Sequence, residues 1–160
     1  MGNGELLVII SGFSGIGRSE LKDTFRPIPE QIRRELGLLD GKEKVAYLIY
    51  YVPDEAGWPD APGFDESKYD DEYLQSAGNA QRMVIEVRRL EDDGQYHQYA
   101  VGRAEPDDSN ELVEVHYSSY TLTVPRSEVF TADEATPIYY QYFQTQTLAE
   151  DLSLRELGLS

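Results

Sequence analysis

The sequence predicts an α+β fold: an antiparallel β-sheet of five or six strands packed by a C-terminal helix and a shorter N-terminal helix. Three observations predict it. Short runs rich in Val, Ile and Tyr recur between turn residues, the pattern of a meander with one packed and one solvated face. A capping box opens an aromatic-rich helical stretch near the end of the chain. With 160 residues, 40% of them apolar, the chain can bury a core of its own, so residues 1–160 are read as a single domain.

The elements follow in order. ELLVIIS at 5–11 reads as a buried strand, and GFSGIGRS at 12–19 as a glycine-serine turn. PEQIRRELG at 29–37 reads as a helix, with Pro29 in its first turn, Gly37 as its stop, and Ile32 and Leu36 on one face. KVAYLIYYV at 44–52 is a β-branched and aromatic strand. EYLQSAG at 72–78 reads as a short helical or irregular piece. RMVIEVRRL at 82–90 and QYHQYAVGR at 95–103 form a hairpin about Asp92, Asp93 and Gly94. ELVEVHY at 111–117 alternates, with Val113, Val115 and Tyr117 on one face, and leads through Ser118 and Ser119 into YTLTVP at 120–125. Thr131 to Glu134 is the capping box of a helix over roughly 132–145, although Pro137 allows a later start at Thr136. Ile138, Tyr139, Tyr142 and Phe143 follow helical spacing toward the sheet, and the tail LAEDLSLRELGL is apolar enough to dock.

Charge is the anomaly. The formal net charge is −16, from 30 acids and 14 bases. Residues 1–52 hold seven acids and seven bases, so the whole excess lies in 53–160. This sign excludes binding to nucleic-acid phosphates and disfavours an anionic membrane surface. It suits a basic protein partner. With no cysteine, disulfides, thiolate metal sites and cysteine nucleophiles are excluded, and a reducing compartment fits. No run approaches the length of a membrane span, and the first residues lack a basic leader, so the expected location is cytoplasmic.

The densest acid lies in PDEAGWPDAPGFDESKYDDE at 53–72, with eight acids against Lys68 alone. Its aromatics separate it from a plain solvated linker. Aromatics anchor protein interfaces and rim charges steer association. The candidate partner-binding residues are therefore Asp54, Glu55, Trp58, Asp60, Phe64, Asp65, Glu66, Tyr69, Asp70 and Asp71. No catalytic, cofactor or metal site is expected. Asp70–Asp71, Asp92–Asp93 and Asp107–Asp108 lack the spacing of a calcium loop. His97 and His116 are expected on neighbouring strands beside Glu86 and Glu114, as ordinary surface residues.

Gly12 to Ser19 nearly matches the phosphate-loop pattern GxxxxGK[ST], with Arg18 at the lysine position, and residues 5–21 resemble the opening of guanylate kinases. That resemblance implies a degenerate nucleotide-binding, kinase-like alternative. EVFTADEATPIYYQYFQTQTLAEDLSLREL at 128–157 resembles the closing segment of small immunity proteins from bacterial polymorphic-toxin systems. YLQSAGNAQRMVIEVRRLEDDGQYHQYAVGR at 73–103 is similar to actinobacterial proteins found beside secreted toxins. The resemblance implies a non-enzymatic immunity protein that occludes the active site of a cognate toxin. A third alternative is a phage-type anionic mimic of DNA. The oligomeric state is left open.

Overall fold

The computed structural model describes residues 3–11, 15–20, 26–53, 72–104 and 111–158. Their order is β1 (Asn3–Ser11), β2 (Gly15–Glu20), α1 (Ile28–Gly37), β3 (Lys44–Pro53), β4 (Tyr73–Asn79), β5 (Arg82–Leu90), β6 (Tyr96–Arg103), β7 (Leu112–Tyr117), β8 (Tyr120–Pro125), α2 (Ala132–Thr145) and β9 (Leu152–Leu157). The class is α+β, as expected. Seven strands form an antiparallel sheet in the order β2-β1-β3-β4-β5-β6-β9, and β7 and β8 form a separate two-stranded ribbon.

Four elements differ from the sequence reading. The second half of the glycine turn is strand β2, pairing Gly15–Glu20 with Leu6–Ser11. Residues 73–79 are strand rather than helix, because Leu74 and Ser76 alternate inward and the neighbouring strands β3 and β5 supply a full ladder. The tail forms edge strand β9 against β6. Residues 112–125 leave the sheet as a ribbon. Its Val113, Val115, Leu122 and Val124 need an apolar surface, which Ala77, Val84 and Val129 provide.

α1 begins at Ile28, one residue before Pro29, and buries Ile28, Ile32 and Leu36. α2 starts at the capping box: the Thr131 hydroxyl accepts from the Glu134 amide, and the Glu134 carboxylate accepts from the Thr131 amide. Pro137 therefore lies inside the helix, where its missing N–H deprives the Asp133 carbonyl of a helical donor. The Thr136 hydroxyl bonds the Ala132 carbonyl at 2.8 Å in the same turn.

Both helices cover one sheet face. The core there joins Ile32 and Leu36 to Tyr47, Ile49, Leu74, Ile85, Val87 and Val101, with Ala135 and Tyr139 from α2. The Tyr139 hydroxyl donates to the Tyr47 carbonyl at 3.0 Å and lies 2.7 Å from the buried Ser76 hydroxyl. The Tyr47 and Tyr139 rings meet at 5.2 Å between centroids. Gly78 has φ +131°, and a Cβ there would stand 2.9 Å from Met83 Cα and 3.0 Å from the Val115 side chain. Glycine is required where the ribbon crosses the sheet. No helix among the described residues is long and apolar enough to cross a membrane.

Candidate interaction surface

The ten expected partner-binding residues, Asp54 to Asp71, lie outside the described residues. The structure does place the roots of that segment. It joins Pro53 at the end of β3 to Glu72 at the start of β4, two neighbouring antiparallel strands. Both roots therefore emerge at one end of the sheet. The β5–β6 hairpin turn and the end of β9 lie at the same end, because Tyr73 faces Arg88 and Gln98 faces Leu157.

This end is acidic and interleaved with apolar groups. Leu90 is 48% exposed and Tyr96 40% exposed, both large for apolar side chains on a sheet. The acids at this end are Glu72, Glu91, Asp92, Asp93 and Glu156; Glu91 and Glu156 lie with Tyr99 and His97 on the helix side of the sheet, whereas Leu90 and Tyr96 face each other on its other side. The Glu72 carboxylate accepts the Leu90 amide at 3.0 Å. The Arg88 guanidinium lies over the Tyr96 ring at 5.2 Å. This is the same mixture of acid and aromatic that marks 54–71 in the sequence.

Local geometry fixes the carboxylates. The Asp93 carboxylate accepts the Gln95 amide at 2.9 Å across the turn, where Gly94 takes φ +79°. His97 is clamped by two acids: Nδ1 lies 2.5 Å from Glu156 and Nε2 2.7 Å from Asp93. Those contacts, Glu156 first, raise the His97 pKa above its ordinary value. Asp93 is held below the usual carboxylate range by the Gln95 amide and then by His97. Glu91 accepts from the Tyr99 hydroxyl and, at 3.1 Å, from Arg89 Nε. The Tyr99 bond lowers the Glu91 pKa most, and the same bond raises that of Tyr99. A cleft of about 100 Å³ between Glu72, Arg89 and the C-terminal end of α2 borders the cluster.

The sheet face away from the helices holds a second polar network. Gln98 Nε2 donates to Glu86 at 2.5 Å, and Gln98 Oε1 accepts from the Tyr73 hydroxyl at 3.0 Å. Burial raises the Glu86 pKa, opposed by the Gln98 donor and by Arg155. Arg155 makes two 2.8 Å bonds to the buried Glu128.

The two histidines are not neighbours. His97 lies on β6, whose partners are β5 and β9, whereas His116 lies on the ribbon. There His116 Nδ1 contacts the Thr121 hydroxyl at 3.0 Å, with Glu114 at 3.7 Å. Glu114 and His116 share the solvent side of the ribbon, as the alternation of β7 predicts. Among the described residues, no group of three or more His, Asp and Glu side chains is arranged to hold a metal ion. The phosphate-loop pattern ends in strand β2, so no helix begins at Ser19 to present amides to a phosphate.

The arginines carry a signal that sequence counting alone did not reveal. After Lys68 the chain has no lysine, and its six remaining cations are arginines. All six have partners within the chain. Arg82 reaches the Glu114 carbonyl, Arg88 covers Tyr96, and Arg89 bonds Glu91. Arg103 donates to the Val129 carbonyl over the Phe130 ring, Arg126 bonds Glu111, and Arg155 bonds Glu128. The described part of this region, 72–104 and 111–158, holds thirteen acids against these six arginines. What it turns to solvent is predominantly carboxylate.

Comparison of the chain with protein-family models, with curated proteins and with solved structures gives no match.

Proposed function

We propose that this chain is an immunity-type protein that binds a cognate toxin and occludes its active site with an acidic surface. The observation that carries the reading is the acidic end of the sheet. There five carboxylates and the exposed Leu90 and Tyr96 share one end of the sheet, the end at which Pro53 and Glu72 root the 54–71 segment. A toxin acting on nucleic acid or dinucleotides has a cleft that attracts anions, and such a surface enters it as a substrate mimic. The arginines reinforce this: after Lys68 the chain has no lysine, and its six arginines all have partners within the chain, so this region presents little free cation to repel a basic cleft. The resemblance of 128–157 to immunity proteins points the same way, and no catalytic step is required of any residue.

The test starts from capture of the partner on immobilised protein, followed by assay of the partner's activity with and without the chain. A basic protein whose activity falls to background on stoichiometric addition is the expected result. A partner that binds and keeps full activity overturns the reading. In the complex, changing Asp60, Asp65, Asp70 and Asp71 together to Asn should slow association and flatten its salt dependence. Trp58→Ala should speed dissociation and cost about 2 kcal/mol or more.

A further inference from the structure

β9 closes one side of the sheet, and among the described residues no strand lies on its other side. Its pairing with β6 runs without interruption from Gln98–Leu157 to Arg103–Leu152. It contains no proline and no bulge, the usual devices that spoil an edge for further pairing. Leu152, Leu154 and Leu157 are half-buried, and Ser153, Arg155 and Glu156 are exposed. Six residues of strand give an open edge about 20 Å long.

The two ends of this edge differ. Leu157 and Glu156 adjoin the acidic end, where Glu156 holds His97. Leu152 opens into a groove of about 340 Å³ between β9 and α2, floored by Phe130, Pro137 and Ile138 and flanked by Glu134 and Asp151. Arg103 lines the groove, over the Phe130 ring and 3.9 Å from Glu134, and donates to the Val129 carbonyl, while Arg155 is held by Glu128. Among the described residues, the edge therefore offers main-chain groups with no strand partner on its outer side, the Leu152 amide excepted because it donates to the Ala149 carbonyl, together with a groove of mainly apolar lining and carboxylates at both ends. A second copy of this chain is a poor occupant, because each copy carries −16 and brings the same acids to the seam.

We infer that the open edge of β9 takes an extended, basic segment of the partner as an eighth strand, with an apolar side chain of that segment seated in the groove against α2. The added strand gains affinity from its main-chain ladder and specificity from the pocket and its acidic rim. The inference rests on the proposed function for its partner, but it has a test that needs no toxin.

The probe is the peptide acetyl-Lys-Val-Lys-Val-Lys-Val-amide, with acetyl-Lys-Lys-Lys-Val-Val-Val-amide as a control of equal charge without alternation. The expected result is that the alternating peptide slows amide hydrogen exchange across Leu152–Leu157 at least tenfold, and the block peptide does not. Gln141→Trp, which fills the groove from the half-exposed side of α2, should weaken binding at least tenfold while the melting temperature holds. Ser153→Lys, an exposed site on the edge, should weaken it by charge repulsion. Unchanged β9 exchange with the alternating peptide overturns the inference, as does equal slowing by both peptides. A toxin complex that forms normally with Gln141→Trp and Ser153→Lys overturns it while leaving the proposed function intact. Protection of β9 in a protein that neutralises no toxin leaves the edge site standing and the proposed function refuted.

Discussion

Under α1 and α2, the sheet buries Tyr47, Leu74, Ile85 and Val87, and the Tyr139 hydroxyl in that layer is bonded to both the Ser76 hydroxyl and the Tyr47 carbonyl. On the opposite face a thin ribbon covers Ala77 and Val84, and the rest is a network of ionisable groups: Glu86 on Gln98, and Arg155 on Glu128. The first face is organised by removal of apolar surface from water, which is non-directional and large. The second is organised by charge pairs whose desolvation offsets much of their attraction. Stability should therefore reside on the helix side, and substitutions on the other face should change pH response more than folding.

The largest effect should come from Tyr139→Ala, which empties a fully buried ring site and strands the Ser76 hydroxyl. It should cost about 3–5 kcal/mol in urea unfolding. Tyr139→Phe should cost about 1–3 kcal/mol, the penalty of leaving buried polar partners unmade. Equal and small losses in both would break the contrast between the two faces.

Glu86→Gln tests the polar face, and the sign is the opposite. Burial raises the Glu86 pKa, so ionised Glu86 costs stability at neutral pH. Its contribution is fully present below the unfolded glutamate pKa and is lost as pH rises through the higher folded value. The amide variant should match or exceed wild type at pH 7 by up to about 1 kcal/mol, and the advantage should vanish in acid. A loss at pH 7 above about 1 kcal/mol would show that the carboxylate is structural.

The smallest effect belongs to His97, whose raised pKa favours the imidazolium in the folded chain. That contribution is fully present below the ordinary histidine value of 6.5 and is lost as pH rises through the folded value. The melting temperature of wild type should fall more than that of His97→Gln between about pH 6 and pH 8. Parallel curves would detach Asp93 and Glu156 from any role in holding β9 to the hairpin.

The readable and unreadable parts of the sequence divide by range. α2 was legible because its capping box is four consecutive residues, and the β5–β6 hairpin because Asp-Asp-Gly is a local turn signal. β7 and β8 were legible as strands, but not as a ribbon, since only the tertiary match of Val115 and Val124 to Val84 removes them from the sheet. β4 was misread because small residues fill its inward positions, Ser76 and Gly78, where a strand usually shows β-branched side chains. β9 was legible only as a docked tail, because its ladder with β6 joins residues far apart in sequence. For the same reason the His97–Glu156 contact, 59 residues apart, left no trace. The acidic segment was legible as composition. That its flanking residues Pro53 and Glu72 share an end of the sheet with Leu90 and Tyr96 was not, because that depends on which strand ends meet.

The engaged arginines have a consequence for proteolysis. A trypsin-like protease has six cleavable positions after Lys68, and five of them, Arg82, Arg88, Arg89, Arg103 and Arg155, lie in hydrogen-bonded strands. A protease must draw several residues of extended chain into its cleft, which a ladder forbids until it opens. Nicking at these five sites therefore follows the local opening equilibrium of each strand and not its solvent exposure. Arg155, on the edge, should be cut first and Arg88, between two paired strands, last, so the order of fragments reads out the hierarchy of strand stability from the rim of the sheet inward.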